Sequence, residues 1–316
     1  MEKCGIVVIG RNEGKHLTDC FKSIAESDCV KVYADSASSD NSVEIANQFN
    51  IEIVQLDTLI PLTAARGRNA GAKRLLELDP HTSYIQFIDG DTILEKGWLL
   101  EAQRILQEKP EVAIVAGKLI EKNETLSIYK QLSALEWERN PGETKFCGGN
   151  CMIRAHVFLQ IGGFNQDFAG GEEPELCYRV REKGWKIFQS DALMGIHDSR
   201  VFSFKQFCKR CVRTGYAYQQ ISTVYADTPE KLFLRENISN WIYGGIIPIV
   251  TIALIPFTSG WSLILLIIYP LLFVRIYLRM KRWKSSLAFA YALTCVITKF
   301  PGFYGACKCL IYKGLR

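Results

Sequence analysis

Between Ile238 and Arg316 the chain carries no Asp or Glu, and inside that stretch two runs hold almost no charge. They are "WIYGGIIPIVTIALIPF" (Trp241–Phe257) and "WSLILLIIYPLLFVRIY" (Trp261–Tyr277), separated only by "TSG". Each has about 17 residues, at the lower edge of the roughly 17 to 25 that cross a hydrocarbon layer. A chain can place such a pair as a helical hairpin in a bilayer or as a buried hairpin of a soluble core. Trp and Tyr at the run ends match an interfacial aromatic belt, and "RIYLRMKRWK" around the end of the second run matches the cytoplasmic excess of Lys and Arg. The expectation is therefore a membrane hairpin over 241–277, with both ends and the rest of the chain on the cytoplasmic side. A third apolar piece, "LAFAYALTCVIT" (Leu287–Thr298), is short for a crossing, so 285–316 is expected to be interfacial or re-entrant.

Charge divides the chain at the same place. The acid-free tail holds 9 of the 38 basic residues, leaving 29 basic against all 33 acidic residues in the first 237. A mildly acidic head on a basic tail suits a membrane surface for the tail, and no nucleic-acid partner is expected. "MEKCGIVVIG" enters a strand-like run at once, so no signal peptide is expected at this end. The 11 cysteines are expected to be buried thiols rather than a disulfide framework. Cys208-x-x-Cys211 and Cys147-x3-Cys151 are possible zinc ligands in principle, but no His or Cys partner stands at a familiar spacing.

In the head, short apolar runs alternate with helical patterns. "CGIVVIG" (Cys4–Gly10), "KVYADS" (Lys31–Ser36), "IEIVQL" (Ile51–Leu56), "YIQFIDG" (Tyr84–Gly90) and "VAIVAGKLI" (Val112–Ile120) read as strands. "GKHLTDCFKSIAES", "SVEIANQFN", "AARGRNAGAKRLLEL" and "WLLEAQRILQEK" read as helices between them. Such alternation predicts an α/β domain with a largely parallel sheet, whose ligands bind beyond the carboxyl ends of the strands.

Polar clusters sit at those ends. "RNEG" follows the first strand, "DSASSDNS" the second and "FIDGDT" the fourth, while "RGRNAG" opens the helix before it. Asp89 and Asp91 flank a glycine, and in a strand residues two apart point to one side. At that spacing two carboxylates are expected to converge on one point, and a divalent cation is the simplest reason to gather the charge. Singly, the clusters have plainer readings: Asp40 as a helix N-cap, Arg66 and Arg68 as a solvated helix face. Later, "GGEEPELCYRV" crowds Glu172, Glu173 and Glu175 into the start of a helix, which suits either the helix dipole or catalysis.

In this order the motifs "VVIGRNEG", "DSASSDNS", "ARGRNAG", "FIDGDT", "GGNCMIRAHVFLQIGGFN", "GEEPELCYRVREKGW" and the later His197 resemble the family 2 glycosyltransferases, over residues 4–220. The resemblance implies a Rossmann-like glycosyltransferase A-type fold: a catalytic domain over 1–220, with a nucleotide-binding half (1–120) and an acceptor-binding half (121–220). A linker helix over 221–237 and a membrane region over 238–316 would follow. It implies a UDP- or GDP-linked sugar donor and Mg2+ or Mn2+. Asp91 would meet the metal, with Asp89 at the metal or ribose and His197 a further ligand. Asp35, Asp40, Arg68 and Asn69 would line the nucleotide, and Arg210 or Arg213 would close over the diphosphate. Here Ser36 stands where the family's commoner pattern has a second aspartate.

The general base is implied in "GEEPEL", where relatives carry Glu-Asp. Glu173 takes the place of that aspartate and Glu172 is its competitor, for an inverting displacement onto a lipid-linked or membrane-proximal acceptor. The Gln-x-x-Arg-Trp motif of processive synthases is missing, since Gln206 is followed by "FCKRC", so a single addition is expected. Two other classes stay open at this stage: a sugar nucleotidyltransferase, and a catalytically silent sugar-nucleotide-binding scaffold.

Overall fold

The computed structural model describes residues 2–314 except Glu136 and Ala169, so Arg316, the last cation of the tail, lies outside the described residues. The chain divides into two compact units. One comprises the chain to Asn123 with Ser133–Phe168 and Glu172–Ser199; the other comprises Glu124–Leu132, residues 169–171, and the chain from Arg200.

The first unit is built on one sheet. β1 (Lys3–Gly10), α1 (Lys15–Ile24), β2 (Val30–Asp35), α2 (Ser42–Gln48), β3 (Glu52–Gln55), α3 (Ala64–Leu78) and β4 (Thr82–Asp89) make its first half. β5 (Thr92–Leu94), α4 (Trp98–Glu108), β6 (Val112–Glu121), α5 (Ile128–Ala134), β7 (Gly142–Thr144), β8 (Cys151–Arg154), α6 (Ala155–Gln160), α7 (Glu172–Glu182) and β9 (Lys186–His197) follow. The strand order is β3-β2-β1-β4-β8-β6-β9-β5, with β7 also on β9. β1 to β4 pair in parallel, as expected of their alternation with helices, and β8 runs antiparallel between β4 and β6.

Both faces of the sheet are covered, which is why its strands read as continuous apolar runs rather than as alternation. Ile6, Val8, Tyr33 and Tyr84 face a core shared with α1, α2 and α4, whereas Val7, Val32, Ile85 and Phe87 face α3, α6 and α7. Gly71 sets the approach of α3: a Cβ there would stand 2.4 Å from Val7 Cγ1. The loops that follow β1, β2 and β4 therefore leave one edge of a packed layer, and two of them interlock. Asn12, at φ 56°, accepts the Ser39 N–H at 2.7 Å, while its own N–H donates to Ser38 Oγ at 2.9 Å.

The second unit is helical: α8 (Phe204–Val224), α9 (Leu234–Trp241), α10 (Ile247–Leu254), α11 (Ile268–Lys281), α12 (Ala288–Ile297) and α13 (Lys299–Gly314). The single linker helix expected over 221–237 is broken: α8 stops at Val224, and the chain turns through Pro229, with Lys231 and Phe233 at φ 45° and 58°. α9 and α10 join through a π-helical turn, Ile242–Ile246, into one helix Leu234–Leu254; a 3-10 stretch, Trp261–Ile267, leads into α11 as one helix Trp261–Lys281. Each irregularity precedes a proline, Pro248 or Pro270, which has no N–H for the carbonyl four residues back.

With Ser285–Tyr312, these make three helices among the described residues that are long and apolar enough to cross a membrane. The third is longer than the quoted run, because α13 continues past Thr298 for 16 residues and carries Pro301 in its first turn, where a missing N–H costs little.

Candidate active site

Asp89 and Asp91 have different nearest partners, while both act on His197 electrostatically. β4 ends at Asp89, and Gly90–Asp91 is a turn into β5, so strand alternation does not itself set the direction of the Asp91 side chain. The period-two rule holds only while the strand lasts.

Asp89 belongs to a cluster around Arg68. The Arg68 side chain, 2% exposed, donates from Nη2 to Asp89 Oδ1 at 2.9 Å and from Nη1 to Glu172 Oε1 at 3.0 Å, with Glu173 Oε1 at 3.2 Å. Its guanidinium carbon lies 5.3 Å from the centre of the Phe164 ring. One cation thus serves three carboxylates in a largely buried space. Such a space favours protonation of whichever acid is least compensated. That acid is Glu173: burial and the neighbouring Glu172 charge push its carboxyl up to about 7, against the pull of Arg68. Asn150 closes the other side of Asp89, accepting its N–H at 2.8 Å and donating to Oδ2 at 3.2 Å. Gly149 admits the group, since a Cβ there would stand 2.0 Å from Arg68 Nη2 and 3.0 Å from Glu173 Oε1.

Asp91 lies beside His197. His197 Nε2 lies 3.5 Å from Asp91 Oδ1, and the opposite ring nitrogen lies 3.5 Å from Glu121 Oε2. Glu121 is paired with His197 in the β6–β9 ladder, and its Oε1 accepts the Ser199 N–H at 2.9 Å and the Ser199 hydroxyl at 3.0 Å. Trp137 lies against the imidazole, ring centres 5.0 Å apart. Burial alone would lower the His197 pKa; Glu121, Asp91 and Asp89 outweigh it, and the net direction is upward.

Oxygen donors and an imidazole suit Mg2+ or Mn2+. A nitrogen aimed at Asp91 while its opposite is held by a carboxylate is the pattern that orients a ligating His. No three His, Cys, Asp or Glu side chains converge into a metal cage among the described residues. That is compatible with a cation that takes most of its ligands from water and substrate phosphate.

Asp35 is buried, and its two oxygens accept from the Tyr33 hydroxyl at 3.0 Å and the Ser38 N–H at 2.9 Å. Asp40 is exposed and accepts from the Ser42 N–H and hydroxyl; the N-cap position itself is Asn41. Asn69 donates to the Phe164 carbonyl at 2.7 Å and accepts the Phe164 N–H at 2.9 Å, so it pins the "GGF" loop. Arg66 is no solvated face: it staples residues 57–61 through carbonyls, the nearest Ile60 O at 2.6 Å. Arg210, half-buried, and Arg213, exposed, lie on α8 in the helical unit.

Glu121 and Asn150 were not singled out from sequence. Glu121 had the signal that exposed Asp89, an apolar strand ending on a carboxylate; Asn150 stood inside a quoted motif with no charge to draw notice.

A model of glycosyl transferase family 2 matches residues 5–161, and one of glycosyl transferase family group 2 matches residues 84–300. The pre-mycofactocin glycosyltransferase of Mycobacterium tuberculosis is 24% identical over 132 residues, which is 38% of this chain but only 27% of that relative's length. Among solved structures, the mannosyltransferase PcManGT of Pyrobaculum calidifontis, in complex with GDP-Man and Mn2+, aligns over 98% of this chain and 87% of its own with a TM-score of 0.61 at 15% identity. S. aureus TarS (1–349) aligns over 97% and 91% with a TM-score of 0.54 at 13% identity. Glucosyl-3-phosphoglycerate synthase of Mycobacterium tuberculosis, with Mn2+, UDP and glucosyl-3-phosphoglycerate, covers 71% of this chain and 79% of its own, with a TM-score of 0.50 at 12% identity. At these identities the structures speak for the fold, while the second family model spans well over half of the chain: the protein belongs to glycosyl transferase family 2 and is a glycosyltransferase of the glycosyltransferase A-type fold.

Proposed function

We propose that the protein is an inverting, divalent-metal-dependent transferase that adds a single sugar from a UDP- or GDP-linked donor to a lipid-linked or membrane-proximal acceptor at the cytoplasmic face. The observation that carries this is the division of labour at the site: Asp91 beside His197, and a Glu173 carboxyl whose pKa is pushed up to about 7. A general base works best when its pKa lies near the operating pH.

Asp91 and His197 are the residues that would hold Mg2+ or Mn2+, with Asp89 behind them. The ion, when bound, would supply charge neutralisation at the departing diphosphate. Glu173 accepts the proton of the acceptor hydroxyl as that oxygen attacks the anomeric carbon from the face opposite the nucleotide. Arg68 holds Glu173 in place and lets it ionise despite Glu172. Asp35 and Asp40 shape the loop after β2 that is proposed to meet the nucleoside, and Arg210 or Arg213 is proposed for the diphosphate. The GDP-Man and UDP complexes with Mn2+ of the structural relatives support the donor class. The three long apolar helices support a membrane location.

The test is a panel of UDP- and GDP-sugars offered to the purified protein with Mn2+, reading binding and slow hydrolysis with and without EDTA. Binding and hydrolysis of a sugar nucleotide that both vanish in EDTA are expected. Full turnover in EDTA contradicts metal dependence, and pyrophosphate release from a nucleoside triphosphate and a sugar phosphate would reveal a nucleotidyltransferase instead.

A further inference from the structure

By length and composition Ser285–Tyr312 qualifies as a crossing. Its packing partner argues otherwise. α13, the second half of that helix, lies on α8 with backbones almost touching: a Cβ on Gly215 would stand 2.1 Å from Gly302 O, and one on Gly305 would stand 2.1 Å from Val212 O. Residues 215 and 212 of one helix meet 302 and 305 of the other in reverse order, so the pair is antiparallel. Ala306 and Cys309, on the same side of α13, are buried as well.

α8 is a poor occupant of hydrocarbon. Lys205, Lys209, Arg210 and Arg213 fall within nine residues of it. Charged side chains at bilayer depth are rare and need partners or water. A helix in backbone contact with α8 shares its depth.

We propose that α13 does not cross the bilayer: with α8 it forms a two-helix plate lying in the headgroup layer against anionic phospholipid, leaving the C-terminal end of the chain on the same side as the catalytic unit. This rests on the reading that the hairpin over 241–277 is in the membrane. The exposed side chains carry the chemistry such a surface recognises. Lys205, Lys209 and Arg213 recur every four residues and are exposed, and Phe202 and Phe204 beside them are each 49% exposed. On α13 the Lys308 ammonium lies 5.8 and 5.9 Å from the ring centres of Tyr304 and Tyr312, which are themselves exposed. Cations interleaved with aromatic rings on a helix surface are the composition of a headgroup-level contact. The plate also adjoins the start of the hairpin, since a Cβ on Gly302 would meet the Asn240 side chain at 2.8 Å and one on Gly244 would meet Lys299 O at 2.0 Å.

The experiment uses the full chain with an epitope at each end, reconstituted into vesicles of phosphatidylcholine, alone or mixed with phosphatidylglycerol. In the molecules whose N-terminal epitope is open to added protease, the C-terminal epitope should be digested too. Hydrogen exchange at 202–213 and 304–312 should be slower on the anionic vesicles than on the neutral ones, and Lys205→Glu with Lys209→Glu should erase most of that difference. A protected C-terminal epitope overturns the proposal, as does equal exchange on both lipids. High-salt extraction separates the two readings. Release of the protein by salt sinks the membrane hairpin itself, whereas a protein that resists salt yet protects its C-terminal epitope sinks only the plate.

Discussion

Asp89 and Asp91 stand one residue apart in the chain and have different nearest partners. Around Asp89 a single guanidinium is shared by three carboxylates, with Asn150 completing the set; around Asp91 a single imidazole stands between two carboxylates, Asp91 and Glu121. The first cluster holds negative charge in a confined space and leaves one acid, Glu173, poised near neutrality. The second sets one ring nitrogen of His197 beside Asp91 and the other beside Glu121. The turn at Gly90–Asp91 ends the strand between them, so each carboxylate finds its own nearest cation. The three residues Asp89–Asp91 thus reach both the Arg68 cluster and His197.

The difference predicts different failures. The largest effect is expected for Asp91→Asn, which removes the carboxylate proposed to meet the metal: turnover should fall by about three to four orders of magnitude, with donor affinity lost and far-ultraviolet circular dichroism unchanged. A variant that binds donor and Mn2+ normally would move the metal assignment elsewhere.

Glu173→Gln should lower turnover by about a hundredfold to ten-thousandfold while leaving donor affinity intact. Its stability has a definite sign. A carboxyl raised from 4.5 to about 7 contributes stability that is fully present below 4.5 and lost as pH rises through 7, so above that pH the ionised Glu173 weighs against the fold. The variant should therefore melt at or above the wild-type temperature at pH 8. A lower melting temperature at pH 8 would mean that Glu173 is a structural partner of Arg68 rather than a strained base.

Glu172→Gln should be milder in turnover and visible in the pH profile. Glu172 raises the Glu173 pKa, so its neutralisation should carry the acidic limb of kcat/KM to lower pH. If this variant is dead and Glu173→Gln is active, the base is Glu172.

The smallest effect is expected for Glu121→Gln. A His whose pKa is raised by its partners gives stability that is full below 6.5 and lost as pH rises through the higher folded value. The variant should lose more thermal stability at pH 6 than at pH 8. An equal loss at both would leave Glu121 as a plain hydrogen-bond acceptor for Ser199.

Most of the fold could be read in advance because its signals are local. Five apolar runs alternating with amphipathic segments foretold β1, β2, β3, β4 and β6, and the acid-free runs foretold the first two long helices. β8 was not foreseen as an antiparallel insert, because the four residues Cys151–Arg154 carry no period of their own and take their place from β4 and β6. The site was legible in membership more than in geometry. Asp89, Asp91, Arg68, Glu173 and His197 were all named, but which of them touch depends on where β4 stops and on Arg68 reaching 104 residues along the chain to Glu172. Asn69 shows the limit: its hydrogen bonds to the Phe164 backbone, 95 residues along the chain, could not be read from its motif.

The most direct test of the two-cluster account is calorimetric binding of the donor in the presence of Mn2+ to the wild-type protein, Asp91→Asn and Glu173→Gln. The account predicts binding to the wild type and to Glu173→Gln with similar affinity, and its loss in Asp91→Asn and in EDTA. Equal binding by all three proteins, or equal loss in both variants, would contradict the separation of donor and base functions on which the account stands.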